Sequence, residues 1–277
     1  MSKSTFELST EGKVAEITLN RPEALNSFTQ EFWTDFREQV EALDDRGDVR
    51  ALVISSTGKH FTAGMDLGVF QAMPDLSGHE PGRARAALMK TVQAFQETFT
   101  CLERARFPVL AAIQGGCIGG GVDLISACDM RYCTDDAFFV IQEINIGMTA
   151  DVGTFPRLQN VMADGLVREL AYTGRRLTAE RALSSGLVNA TYASHDDLLA
   201  SVRATAQEIA EKSPLAVWGS KEVLNYGRDH STADTLKHMA TWQAGMWHMP
   251  DMHTAFAAKK ADRKPEFEDL LPNKSVL

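Results

Sequence analysis

Three observations predict an α/β fold. A short apolar run, a glycine-rich turn, a helical stretch and a further strand follow one another twice, around Ala51–Leu67 and around Val109–Cys133. The first twenty residues alternate apolar and polar side chains, the period of a half-buried strand. After Gly174 the pattern turns helical. Units that alternate strand and helix bury their strands beneath helices, which is α/β rather than all-α architecture.

Along the chain, Thr5–Leu8 and Val14–Leu19 read as a hairpin about Glu11-Gly12. Asn20-Arg21-Pro22 breaks the second strand. Phe28, Phe32, Phe36, Val40 and Leu43 stand at helical spacing, with Thr29 as candidate N-cap. Ala51–Ser55 is a buried strand bounded by charge on one side and Ser-Thr-Gly on the other, and a loop from Gly58 to Gly68 follows it. A long helix runs from Ala84 to Arg106, Pro108 interrupts it, and Val109–Ile113 is the next buried strand. The cluster Gly115 to Gly121 leads into an apolar helix ending at Cys128, and Met130–Cys133 is a short strand. Ala179–Ser184, His195–Lys212, Ala216–Tyr226, Thr232–Trp247 and Met252–Lys260 read as helices. The expected division is therefore an α/β core over residues 1–200 and an all-helical region over 201–277 that packs outward onto another subunit.

Composition narrows the function. The 277 residues are 44% hydrophobic and 23% charged, the profile of a globular protein with a large core. A net charge of −9 repels phosphate backbones, so no nucleic-acid partner is expected. No apolar run reaches the roughly 18 residues of a membrane span, so no membrane partner is expected either. Cys101, Cys117, Cys128 and Cys133 form no C-x-x-C pair and have no histidine at zinc-ligand spacing, so no metal is expected. The start of the chain carries no signal or transit pattern, and Ser275-Val276-Leu277 lacks the basic residue of a peroxisomal S-K-L ending. A cytoplasmic location follows as the expectation.

Three features carry chemistry. The Gly115–Gly121 cluster lacks the Lys-Ser or Lys-Thr of a P-loop, and its glycines are not spaced as a dinucleotide fingerprint, which disfavours a Rossmann dehydrogenase. It can leave bare amides at the positive end of a helix. The loop Gly58 to Leu67 also follows a strand and turns on glycine. Two such turns can each offer one N–H to the same oxygen, which is the requirement of an oxyanion hole. The third feature is a set of acids among apolar neighbours: Asp123, Glu143 and Asp151. Burial and mutual repulsion raise carboxyl pKa values toward those of working general acids and bases. Each acid alone has a structural reading, Asp151 for instance as a helix cap.

These residues resemble the crotonase (enoyl-CoA hydratase/isomerase) superfamily. Arg21-Pro22-Glu23-Ala24-Leu25-Asn26, Ala63-Gly64-Met65-Asp66-Leu67 and Ile118-Gly119-Gly120-Gly121 together carry the likeness. It implies a spiral of ββα units with a helical C-terminal trimerisation region, assembled as a homotrimer or a dimer of trimers. It implies an acyl-CoA thioester substrate, with no cofactor beyond that coenzyme A, and the thioester oxygen between the amides of Met65 and Gly120. Ala24, Leu25, Lys59 and the segment Thr62, Ala63, Gly64, Met65, Asp66 would line the CoA path, and Lys259 or Lys260 would reach a CoA phosphate. Hydratases of the superfamily carry two glutamates where this chain has Asp123 and Glu143. That departure, the third acid Asp151, and Ser213-Pro214-Leu215-Ala216-Val217-Trp218 are similar to the Δ3,5-Δ2,4-dienoyl-CoA isomerases of fatty-acid β-oxidation. The implied reaction moves a proton from C2 to C6, with Glu143 at C2, Asp151 at C6 and Asp123 tuning the pair. The alternatives are an enoyl-CoA hydratase, a non-catalytic acyl-CoA-binding protein of the same fold, and an RNA-binding relative, which the acidic charge disfavours.

Overall fold

The computed structural model describes residues 5–72, 75 and 77–273, so the terminal Ser275-Val276-Leu277 lies outside the described residues. Nine strands occur among the described residues: β1 (Phe6–Glu11), β2 (Val14–Leu19), β3 (Ala51–Ser56), β4 (Val109–Ile113), β5 (Gly116–Ile118), β6 (Met130–Thr134), β7 (Phe138–Val140), β8 (Leu177–Thr178) and β9 (Ala190–Tyr192). They form a six-stranded sheet in the order β1-β2-β3-β4-β6-β9 and a three-stranded sheet β5-β7-β8. The hairpin β1–β2 is antiparallel, and from β2 to β9 the larger sheet is parallel. Every residue of β3 and β4 is buried, as expected of parallel strands covered on both faces.

The chain steps between the sheets at glycine. Leaving β4, it turns at Gly115 (φ +56°) and enters β5 in the second sheet. A Cβ at Gly115 would collide with the carbonyl of Lys59, so the turn needs glycine for both backbone angle and space. The helix Gly120–Ser126 then returns the chain to β6. This strand–strand–helix step is the unit that the sequence pattern foresees.

Two cores hold the layers. The larger contains an aromatic cluster in which Phe28 stacks on Phe32 at 4.1 Å, and Phe6, Trp33, Phe36 and Phe99 pack edge-on or tilted around them. It pins the helix Phe32–Arg46 against the helix Pro81–Arg104. The smaller core lies between the larger sheet and the helix His195–Ala210, which buries Leu198, Val202, Ala206 and Ala210 against Val53, Leu110, Ala112 and Tyr132. Those four helical residues are spaced by four and form one stripe.

Three expectations need correction. The region after Gly174 is not all helical, because β8 and β9 lie there and β9 forms the edge of the larger sheet beside β6. These strands are two and three residues long, too short for an alternating pattern to register. The division expected between residues 200 and 201 falls inside the helix His195–Ala210, which belongs with the sheet because its apolar stripe covers it. Thr29 is not the N-cap of the first long helix; Glu31 holds that position, and Thr29 Oγ1 accepts from the Phe32 amide at 3.5 Å.

Phe32 is fully buried at the centre of the aromatic cluster. Phe32→Ala is expected to destabilise the fold by about 3–5 kcal/mol. Urea unfolding checks this as a lower midpoint at unchanged slope.

Candidate active site

The two glycine turns meet. Asn26 (φ +53°, buried) fixes the first segment by donating to the carbonyls of Thr57 and His60 at 2.8 and 3.0 Å. Thr62 Oγ1 donates to Asn26 O at 2.7 Å and accepts from Gly64 N at 3.0 Å. On either side of Met65, Phe28 N donates to Gly64 O and Asp66 N to Phe28 O. This alternation leaves Met65 N without an acceptor among the described residues. Thr62 also pairs with Cys117, which joins the loop to β5.

Gly64 (φ +82°) packs its bare Cα on the second turn. A Cβ there would stand 2.6 Å from Ile118 O and 3.0 Å from Gly120 N. Gly119 (φ +53°) caps the helix Gly120–Ser126, so Gly120 N is a first-turn amide with no intrahelical partner. A Cβ on Gly120 would lie 3.7 Å from Met65 N, so the two amides are close neighbours. Two fixed donors beside a helix N-terminus can together bind one oxygen.

Beside them lies a cavity of about 830 Å³ into which all three acids face. Asp123, in the helix Gly120–Ser126, is 1% exposed. Its Oδ1 accepts from both the amide and the hydroxyl of Thr154 at 2.7 Å. Burial pushes its pKa up to about 6, against the pull of those two hydrogen bonds. Glu143 opens the 3₁₀ turn Glu143–Ile146, and its Oε1 lies close to Gly119 Cα, 3.2 Å from where a Cβ would stand. Its Oε2 is buried with no hydrogen-bond partner among the described residues. Burial, and then the neighbouring Asp123 charge, push Glu143 up to about 7. Asp151 follows on the next turn, and burial of its carboxyl raises its pKa as well. Three carboxyls around one cavity titrate as a coupled set.

Other sequence candidates divide. Ala63 and Met65 line the cavity, while Leu25 is 49% exposed and its carbonyl accepts from the Ala63 amide at 2.9 Å. Ala24 ends the short 3₁₀ turn before it, and Lys59 is exposed on the same segment. Thr62 and Gly64 hold the loop through the contacts described above. Asp66 borders the cavity, but its carboxylate accepts from Ser27 Oγ, Gly68 N and Arg21, which hold it below the usual carboxylate range. Lys259 and Lys260 end the helix Met249–Lys260 and do not line the cavity within one chain.

The apolar wall was not read from the sequence. It comes from Trp33, Phe70, Leu88, Val92 and Phe95, on three helices. Tyr132, Phe138, Phe139 and Phe155 are absent from it. Tyr132 and Phe139 sit in the cores instead. Thr154, which holds Asp123, also escaped sequence reading; its only signal was its place three residues after Asp151.

Residues 9–270 match the family model described as enoyl-CoA hydratase/isomerase. The chain is 44% identical over 255 residues to the mitochondrial Δ3,5-Δ2,4-dienoyl-CoA isomerase of Mus musculus, covering 91% of this chain and 78% of that protein. It is 39% identical to the peroxisomal Δ3,5-Δ2,4-dienoyl-CoA isomerase of Arabidopsis thaliana, covering 97% and 99%. The crystal structure of an enoyl-CoA hydratase from Mycobacterium smegmatis superposes with a TM-score of 0.84 at 25% identity, covering 95% and 99%. These relatives overturn the cytoplasmic expectation, since the two isomerases are named for mitochondria and peroxisomes. The expectation had rested on terminal segments, whose sequence carries little physical signal of location.

The raised acid ties stability to pH. In the folded chain Glu143 holds its proton up to about pH 7, and in the unfolded chain only to about 4.5. The unfolded state therefore releases the proton first, and stability falls as pH rises through that window. Glu143→Gln is expected to stabilise the fold by about 3 kcal/mol near pH 8 and by little near pH 4.5. Urea unfolding at both pH values checks the sign.

Proposed function

The chain belongs to the enoyl-CoA hydratase/isomerase (crotonase) family, and on that premise we propose that it converts 3,5-dienoyl-CoA to 2,4-dienoyl-CoA as a Δ3,5-Δ2,4-dienoyl-CoA isomerase of fatty-acid metabolism. The observation that carries the reading is three carboxyls facing one largely apolar cavity beside two bare amides. Relatives of that name at 39–44% identity support it.

The thioester oxygen sits between Met65 N and Gly120 N. Glu143 takes a proton from C2. The released pair forms C2=C3, the C3=C4 pair moves to C4=C5, and the C5=C6 pair takes a proton at C6 from Asp151. In the intermediate the charge spreads over the diene and the thioester oxygen, where two preorganised N–H donors stabilise it. The unpartnered Oε2 and the pKa near 7 suit Glu143 to accepting a proton at neutral pH. Asp123, tied to Thr154, keeps a negative charge near Glu143 and so strengthens it as a base. Each turnover leaves Glu143 with one proton more and Asp151 with one fewer, and release of the proton from Glu143 and its return to Asp151 through solvent restore the pair.

Ala24, Leu25, Lys59 and Ala63 form the path for the CoA moiety. The C-terminal helices support a homotrimer or dimer of trimers, since Leu224, Leu236, Trp247 and Phe256 are all more than half exposed there. In such an assembly Lys259 and Lys260 would meet a CoA phosphate bound to a neighbouring subunit.

Paired ultraviolet assays test the reading. With 3,5-octadienoyl-CoA the conjugated 2,4-dienoyl absorbance should rise, while crotonyl-CoA should lose its enoyl band only slowly. Glu143→Gln and Asp151→Asn should each lower kcat by about 10²–10⁴-fold. Fast crotonyl-CoA hydration without a dienoyl shift would identify a hydratase instead.

A further inference from the structure

We propose that Arg157 is a positioning residue for the C6 proton transfer, because its guanidinium clamps the Asp151–Thr154 turn that carries one acid and anchors another. The inference rests on the reading of Asp151 as the C6 acid. Arg157 lies one helical turn beyond that segment, in the helix Thr154–Leu158. Its Nη1 donates to Val152 O at 3.3 Å and its Nη2 to Thr100 Oγ1 at 3.0 Å. Nε and Nη2 both reach Glu103 Oε2, at 2.9 and 2.8 Å. The other Glu103 oxygen accepts from Arg228 Nη1 at 2.6 Å. The guanidinium is thus fixed from the far side by the long helix Pro81–Arg104.

On its near face the guanidinium rests on Gly153. A Cβ at Gly153 would collide with Nη1, and the glycine's φ of +131° is one that other residues rarely adopt. The turn is held at its other end too, since Gln96 Nε2 donates to Asp151 O at 2.7 Å. Two adjacent carbonyls, at 151 and 152, are therefore each gripped by a side chain from outside the cavity. On the inner side, Thr154 N and Oγ1 bind Asp123. Asp151 and Asp123 are joined by this one turn, so a shift in it moves the acid at C6. Proton transfer across hydrogen-bond distance tolerates little displacement, and an ångström costs on the order of 10²-fold in rate.

A double-mutant cycle on the full-length protein tests this, with Arg157→Met, Asp151→Asn and the pair. Arg157→Met should lower kcat for 3,5-octadienoyl-CoA by about 10–10²-fold with KM nearly unchanged. It should lower exchange of the C2 proton into D₂O, the Glu143 half-reaction, far less than it lowers kcat. In the Asp151→Asn background the same change should cost little more. Equal loss in both backgrounds, or equal loss of C2 exchange, would overturn the proposal and make Arg157 a support of the whole fold. Arg157→Lys, which keeps the charge but loses the fork, guards against simple misfolding and should recover only part of kcat. If Asp151→Asn alone keeps full activity, the assignment of the C6 acid fails, and that result is visible without any Arg157 variant.

Discussion

The site depends on one close approach: the bare Cα of Gly64 against the Ile118–Gly120 turn. No side chain fits there, because a Cβ would press on the Ile118 carbonyl oxygen and on the Gly120 amide. The positive φ at Gly64 aims the following amide, that of Met65, toward Gly120. Pairing of Met65 with Phe28 and of Thr62 with Cys117 then turns a loop contact into an extension of the strand framework. Behind it, Phe28 belongs to the aromatic cluster, so the donors rest on the larger core. Donors built this way need no reorganisation when charge develops on the substrate oxygen, which is the condition for electrostatic catalysis.

The acids follow a different logic. Donors gain from rigidity, while a base that must gain and lose a proton gains from a balanced pKa. Glu143 reaches about 7 through burial and through the charge of Asp123. Asp123 is itself raised only to about 6, because Thr154 gives it two hydrogen bonds within an otherwise apolar helix. Those bonds favour the ionised form, and the ionised form adds to the effect of burial in raising Glu143. The arrangement costs stability as pH rises from about 4.5 to about 7, a consequence of keeping desolvated carboxyls in a cavity.

Much of this was legible in the sequence, for physical reasons. Strands β3 and β4 announce themselves as short apolar runs, and the glycines mark turns that other residues cannot make. Asp123, Glu143 and Asp151 stand out as charges among apolar neighbours, and the structure brings all three to one cavity. What the sequence hid depends on long-range pairing. β9 is three residues, Ala190-Thr191-Tyr192, and becomes a strand only because β6 offers it an edge. The cavity wall draws Trp33, Phe70 and Phe95 from three separate helices, and no local pattern records that convergence. The helix His195–Ala210 reads as helical in either region, and only its stripe against Val53 and Leu110 shows which one holds it.

The change from glutamate to aspartate at position 123 gains meaning from its partner. A carboxyl one methylene shorter is drawn back into the helix layer, where the amide and hydroxyl of Thr154 occupy Oδ1. Such a group is poorly placed to hold a water for addition across a double bond, because one of its oxygens is already committed. It is well placed to act as a fixed charge behind Glu143. The residue that engages it, Thr154, lies on the same turn as Asp151, and Arg157 grips that turn from behind. The turn that carries Asp151 thus also restrains Asp123, an arrangement that suits moving a proton along a chain better than adding water to it.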